Sequence, residues 1–399
     1  MFGLQKSIDT NPKRIEEVLT RGVVEVIDTE HLRKKLLSGK RLRVKLGIDP
    51  TSPYIHLGRS VLLLKLKDFQ DLGHRAVLII GDTTGVIGDT SDKSSERPLL
   101  TKEEIKKNAA TYFAQAGKIL NIKQTEKHFN SKWLHALTYD DIGEHADSFS
   151  IADFIARENI KKRLDTGKRV SLREMLYPLM QGYDSVAVKA DIEIGGTDQR
   201  FNLLAGRKLQ ERFKQEPQDI LTTALILGID GRKMSSSWGN TINILDEANN
   251  MYGKIMSIPD ELIIPYFIHC TRISMARIHT VEEGMKKGEN PRDFKMELAR
   301  AIIELYHGAL PAKSAEKEFV HTFQQRNTPD IPVVHARKGL LKDALLKERA
   351  VASGNEFNRL VAGGAISGAA SGKITDPKAT VANDTYKIGK RKFVAFKVE

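Results

Sequence analysis

The chain predicts an α/β fold: a Rossmann-like parallel sheet with a helical insertion, followed by an α-helical domain and a small α+β domain. Three observations carry this. An apolar run, Leu42–Ile48, is followed by Ser60–Leu72, whose Leu62, Leu63, Leu66 and Phe69 recur at helical spacing, and then by a second apolar run, Arg75–Ile80. Strand, helix and strand so close together form a βαβ unit, whose two strands run parallel. Further on, Asp191–Ile194 reads as a strand leading into Gly195-Gly196-Thr197-Asp198-Gln199, then comes a helical stretch, Leu203–Lys214, and another apolar strand, Leu221–Gly228. From Asp246 to about Gln325 the pattern is helical throughout.

Taken in order, Pro12–Thr20 and Thr29–Leu37 read as short helices ending at Ser38-Gly39. Gly73 stops the helix between the first two strands. Residues 90–97 are polar and aperiodic, and a loop is expected there. Helical patterns follow at Lys102–Leu120 and from Ser150 to Ala187, making 98–187 a helical insertion between strands. Ser257–Asp260 interrupts the later helical region, and Arg292–Tyr306 is its long amphipathic helix. Asn327–Pro332 reads as a linker, before helices around 338–347 and 354–362, a glycine-rich stretch and two short strands, one of them Lys390–Phe396. The expected domains are 1–240, 241–326 and 335–399, with a linker over 327–334.

Of 399 residues, 40% are hydrophobic and 29% charged, as in globular proteins, and the length implies more than one domain. Lys and Arg number 63 against 51 Asp and Glu; the balance of +12 fits a polyanionic partner. One cysteine, Cys270, excludes an intramolecular disulfide and any multi-cysteine metal site. No apolar run has the length of a membrane span, and Met1–Pro12 carries no hydrophobic signal segment, so the cytoplasm is the expected compartment.

Ligands of open parallel sheets bind beyond the carboxyl ends of the strands. That edge is expected to carry Asp49, Thr51, His56, Gly58 and Arg59 after the first strand and Gly81–Asp89 after the second. Unpaired N–H groups and the positive dipole end at a helix start attract phosphate, and a histidine and an arginine add donors. Read alone, this stretch is either such a site or an ordinary strand–turn–helix connection. Likewise Lys93 and Arg97 either close over phosphates or face water. Tyr177, Gln181 and Asp184, spaced i, i+4, i+7, share one helix face.

Three separated stretches then agree with one family. Asp49-Pro50-Thr51 with His56-Leu57-Gly58-Arg59, Gly195–Gln199, and Lys233-Met234-Ser235-Ser236-Ser237 resemble the signature elements of class I aminoacyl-tRNA synthetases. The closer likeness is to bacterial tyrosyl-tRNA synthetases, in the branch with a lysine (here Lys45) before the Asp-Pro-Thr motif. It extends through Ile87-Gly88-Asp89, Tyr252–Pro259 and Asn290–Asp293 to a tail similar to S4-type RNA-binding modules.

The resemblance implies activation of L-tyrosine by ATP with Mg2+, then transfer to tRNA(Tyr), by a homodimer with no structural metal and no membrane association. His56, Arg59, Lys93, Arg97 and Lys233, with Ser235, Ser236 and Ser237, would converge on phosphate. Asp89, Tyr177 and Gln181 would face the ammonium and Asp184 the phenol, with Gln199 at the tyrosyl end. Asp49, Thr51, His56, Gly58, Gly196, Asp198, Lys233 and Met234 would hold ATP, Asp198 at the ribose.

The chain departs from the family at Arg59, where the pattern has histidine, at Ser236, where it has lysine, and at Lys45, where many members have tyrosine. In the tail, the helix over 353–361 has Arg359 where S4 modules show several basic residues. Two competing readings follow: an RNA-binding protein that has lost activation, motivated by Arg59 and Ser236, and the tryptophan enzyme of the same class, against which Asp184 and the tail argue.

Overall fold

The structure, a computed structural model, describes residues 7–91, 100–323, 333–348, 350–389 and 392–398, without the side chains of Ser237 and Phe323. The chain forms two compact units, one up to Glu316 and one from Lys317 onward.

The first unit is built on six strands: β1 Val23–Ile27, β2 Arg43–Ile48, β3 Arg75–Ile80, β4 Glu126–Phe129, β5 Ile192–Gly196 and β6 Asp219–Thr223, in spatial order β1-β6-β5-β2-β3-β4. All neighbours are parallel except β1 and β6. The order reverses between β2 and β5, because the chain runs outward through β3 and β4 and then returns to the other side of β2. That reversal opens a crevice at the carboxyl ends of β2 and β5. The sheet interior is apolar, with Val44, Leu46, Val77, Leu78, Ile79, Ile192, Ile194, Ile220 and Leu221 all buried.

Helix boundaries follow local chemistry. Asn11 caps Pro12–Thr20 by accepting from Lys13 N, with proline in the first turn, and Asp28 caps Thr29–Leu37; both helices lie where the sequence placed them. Ser171 and Glu174 form a capping box at the start of Leu172–Val188. Within that helix Gly182 is needed, because a Cβ there would lie 3.0–3.1 Å from Leu209 and the Ala205 backbone of the helix Arg200–Arg212. Tyr306 Oη, near the end of the helix Pro291–His307, donates to buried Ser60 Oγ at 2.9 Å, joining the later helices to the helix Leu57–Asp71.

Several expectations are corrected. The helix after the first strand starts at Leu57 rather than Ser60; His56 is its N-cap residue and Gly58 and Arg59 lie in its first turn, at the helix start as expected. Two strands went unread. β1 is a β-branched run, Val23-Val24-Glu25-Val26-Ile27, set off by Gly22 at φ +65°. β4 is polar because it is the sheet's edge, and its presence makes 98–187 more than a helical insertion. Lys102–Leu120 breaks into Lys102–Ala109 and Tyr112–Ala116, and 150–187 into Ile151–Ile155, Glu158–Asp165 and Leu172–Val188, the last break holding Gly167 at φ +67°. The strand expected at Leu221–Gly228 ends at Thr223, since Leu227 bridges Lys233 and Gly228 N–H bonds Arg232 O, turning the chain back.

The second unit holds the helices Leu341–Lys347 and Gly354–Ala362 against a five-stranded sheet, larger than the two strands expected. Its strands are β7 Val333–Ala336, β8 Ile366–Gly368, β9 Gly372–Lys373, β10 Asp384–Ile388 and β11 Lys392–Val398, in order β7-β11-β10-β8-β9. Leu341, Leu345, Phe357, Val361, Ile366, Tyr386 and Phe396 form its core. Most of the expected linker lies outside the described residues, as do Lys390 and Arg391.

Candidate active site

A cleft of about 940 Å³ opens at the carboxyl ends of β2 and β5. Gly47 belongs to its floor; it lies exposed near the end of β2, and a Cβ there would meet no atom within 4 Å. A planar ligand can therefore lie flat against this strand.

At the deep end, Tyr177, Gln181 and Asp184 of the helix Leu172–Val188 all line the cleft, as their spacing requires. Asp184 is 3% exposed; its Oδ1 accepts from Trp133 Nε1 at 2.7 Å and its Oδ2 from Asn130 Nδ2 at 3.3 Å. Burial pushes its carboxyl up to about 7, against the opposing pull of Lys45 and these two donors. Lys45 and Glu193 are cross-strand neighbours on β2 and β5 and form a fully buried ion pair at 2.8 Å. Lys45 Nζ also donates to Gln181 O and Ser185 Oγ at 2.9 and 2.8 Å, so its donors are occupied beneath the cleft. Glu193 lines the cleft and accepts from Gln181 Nε2 at 3.3 Å.

Tyr177 Oη donates to Asp49 Oδ2 at 2.8 Å, and Thr84 Oγ1 donates to Asp49 Oδ1 at 2.7 Å. Asp49 thus joins the ends of β2, β3 and the helix Leu172–Val188 while lining the cleft itself. Burial and the neighbouring carboxylates hold the Tyr177 phenol well above its usual range, so it stays protonated. Asp89 accepts from Gln199 Nε2 at 2.6 Å and from Ser91 N at 3.0 Å, which ties Ile87-Gly88-Asp89 to the Gly195–Gln199 motif.

The opposite wall comes from the start of the helix Leu57–Asp71. His56 is 7% exposed and its Nδ1 has no hydrogen-bond partner among the described residues. Burial, with Arg59 and Lys233 nearby, lowers its pKa to about 3, so the imidazole is neutral. Arg59 donates through Nη1 to Tyr112 Oη at 2.6 Å and through Nη2 to Thr51 Oγ1 at 2.5 Å. Gly58 N–H points at Met234 Sδ, 3.3 Å away.

The loop after β6 folds over this wall. Lys233 Nζ lies 3.0 Å from Asp198 Oδ2, and Ser236 Oγ is 3.2 Å from Ser52 Oγ. Asn240 holds the loop: its Oδ1 accepts from Ser235 N, and its Nδ2 donates to Asp230 Oδ1 and Lys233 O at 2.8 and 3.1 Å. At Gly196 a Cβ would come within 2.6 Å of Asp198 Oδ1, so a side chain there would displace the Asp198 carboxylate.

Of the residues anticipated from sequence, Asp49, Thr51, His56, Gly58, Arg59, Asp89, Tyr177, Gln181, Asp184, Gly196, Asp198, Gln199, Lys233, Met234, Ser235 and Ser236 all line one cleft. Lys93 and Arg97 lie outside the described residues, and the Ser237 side chain is not described. Sequence reading missed Asn130, Trp133, Tyr112, Asn240 and Glu193. Trp133, one of two tryptophans, stands in a polar stretch and was the one available signal. Among the described residues no group of three or more His, Cys, Asp or Glu side chains could hold a metal ion.

Comparison with known proteins agrees with this geometry. The family model of class I tRNA synthetases (W and Y) matches residues 37–324. The tyrosine–tRNA ligase of Thermotoga maritima is 46% identical over 389 residues, covering 96% of this chain and 97% of that protein. That of Moorella thermoacetica is 42% identical over 404 residues, covering 98% of each. A C-terminally truncated mitochondrial tyrosyl-tRNA synthetase of Coccidioides posadasii shares the fold, with a TM-score of 0.62 at 23% identity over 79% of this chain and 92% of that one. Fold, cleft and full-length likeness converge, and the chain belongs to the class I aminoacyl-tRNA synthetases, among the tyrosine–tRNA ligases.

Proposed function

We propose that the cleft between β2 and β5 carries out both steps of tyrosine–tRNA ligation with the residues described above. The observation that carries this is the convergence on one cleft of a buried carboxyl at its deep end, Asp184, and cations at its mouth, Arg59 and Lys233. The phenol hydroxyl donates to Asp184, which Trp133 and Asn130 hold in place. The tyrosine ammonium meets Asp89, Gln181 and the Tyr177 oxygen; Tyr177 donates its hydrogen bond to Asp49 and so presents lone pairs. Asp198 takes the ribose hydroxyls of ATP, with Gly196 allowing close approach, and Gln199 lies toward the tyrosyl end. Asp49, Thr51 and Met234 frame the nucleotide side.

In activation the tyrosine carboxylate attacks the α-phosphorus, a new P–O bond forms, and the bond to the β-phosphate oxygen breaks to release pyrophosphate. The nucleophile is already ionised, so catalysis is positioning and stabilisation of charge on the phosphates. Arg59, Lys233, the neutral His56 N–H, Gly58 and the serines 235–237 supply that, together with Lys93 and Arg97 from the segment before Leu100. Lys233 is paired with Asp198, so ribose binding to Asp198 and release of Lys233 toward the phosphates are linked. Mg2+ enters as part of the ATP complex, held mainly by the phosphates and water as is usual for this ion. In the second step a hydroxyl of the terminal tRNA ribose attacks the tyrosyl carbonyl and the adenylate leaves.

The S4-like second unit (335–399) is assigned to tRNA binding, and the basic balance to the same partner. A homodimer is supported by apolar side chains exposed over 129–176, including Tyr139 (92%), Ile151 (66%) and Leu172 (78%). The cytoplasm is the proposed location.

Pyrophosphate–ATP exchange tests the assignment. Exchange is expected with tyrosine and not with tryptophan, and Arg59→Ala or Lys233→Ala should each lower it roughly 10²–10³-fold. No exchange with tyrosine would overturn the proposal in favour of an RNA-binding role.

A further inference from the structure

Arg59 stands where the family pattern has a second histidine. A guanidinium on a long stem has greater reach than an imidazole but must be aimed. The aim comes from outside the sheet motifs. Asn108, Tyr112 and Gln115 are spaced i, i+4, i+7, and all three address the turn Pro50–Ile55. Asn108 Nδ2 donates to Pro50 O at 3.0 Å, Tyr112 Oη to Ser52 O at 2.6 Å, and Gln115 Nε2 to Pro53 O at 2.9 Å, while Gln115 Oε1 accepts from Ile55 N at 2.9 Å.

Tyr112 is fully buried, and its single proton goes to Ser52 O, so its oxygen faces Arg59 only as an acceptor. Arg59 Nη1 bonds that oxygen at 2.6 Å while Nη2 bonds Thr51 Oγ1 at 2.5 Å. Two terminal nitrogens held at two points fix the plane of the guanidinium, and its remaining N–H groups are left for a ligand in the cleft that Arg59 lines.

We propose that Tyr112 is a positioning residue for tyrosine activation: it fixes the Arg59 fork toward the phosphates, and this clamp is what allows an arginine to serve at that position. The inference rests on the reading that Arg59 acts on ATP phosphates. The helices Lys102–Ala109 and Tyr112–Ala116 are thereby part of the phosphate site, although none of their residues belongs to a family motif named above.

A double-mutant cycle on the full chain tests it, using exchange kinetics for wild type, Tyr112→Phe, Arg59→His and the pair. Tyr112→Phe keeps the ring and removes the acceptor; kcat is expected to fall of the order of tenfold, with the tyrosine KM unchanged. In the Arg59→His background, whose shorter side chain does not reach Tyr112, the same change should alter kcat less than about twofold. An equal loss in both backgrounds would overturn the proposal, since Tyr112 would then act only through Ser52. So would an unchanged kcat in Tyr112→Phe.

Gln115→Met, which loosens the same turn without touching Arg59, serves as the control if Tyr112→Phe lowers the thermal midpoint. Its effect should be the same in both backgrounds, and coupling to Arg59 as strong as that of Tyr112 would overturn the specific role. Arg59→Ala with full exchange activity would instead sink the underlying reading of Arg59, a result distinguishable from an additive cycle.

Discussion

Asp184 changes protonation near neutral pH, and the direction of its effect can be worked out. Its carboxyl titrates at 3.8 when exposed and at about 7 in the folded chain. Between those values the folded state holds a proton that the unfolded state has lost, so this group's contribution to stability falls as pH rises through that window. Asp184→Asn removes the slope. In urea titrations the variant should gain stability relative to wild type between pH 5 and pH 8, by at most about 2–3 kcal/mol; a constant difference would show that the carboxyl is not shifted. The same ionisation strengthens the bond from a phenol. The preference for tyrosine over phenylalanine in exchange should be larger at pH 8 than at pH 6, and flat and weak in Asp184→Asn. His56 goes the other way. Its folded pKa is lowered from 6.5 to about 3, so its contribution is lost as pH falls through that range, and it adds no inflection to activity above pH 7.

Between elements, Gly81 closes β3 against β2. A Cβ there would overlap Asp49 Oδ1 and Thr84 Oγ1, the pair that also anchors Tyr177. Gly81→Ala should cost about 1–3 kcal/mol in denaturant unfolding and raise the tyrosine KM; unchanged values of both would mean the Asp49 cluster tolerates displacement. The helices Pro12–Thr20 and Thr29–Leu37 were legible beforehand, and the structure shows why they start there: Asn11 and Asp28 cap them. The strand β4 was not legible, because it is polar and lies at the edge of the sheet. β1 was passed over although its β-branched run Val23-Val24-Glu25-Val26-Ile27 is a strand signal.

For the whole molecule, removing residues 326–399 should leave exchange within about threefold while weakening tRNA charging, measured with saturating tyrosine and varied tRNA; intact charging would show that this unit is not the tRNA arm. Charging by the full chain should weaken steeply as salt rises. Sedimentation should show twice the chain mass, and Tyr139→Asp with Leu172→Asp should lower it; an unaltered dimer would place the interface elsewhere. Among the described residues no helix is long and apolar enough to cross a membrane.

The order of the motifs, the strand–helix alternation and the shared helix face of Tyr177, Gln181 and Asp184 were written in the chain, because periodicity and spacing are local properties. They sufficed for the fold class, while the resemblance of the motifs to one family supplied the sixteen cleft residues named in advance. What holds those residues was decided only in three dimensions. Trp133 and Asn130 lie 51 and 54 positions from Asp184, Tyr112 lies 53 from Arg59, and Glu193 meets Lys45 across β5 and β2. The neutral His56 and the raised Asp184 likewise come from burial, and burial is a property of the packed chain that no residue spacing expresses.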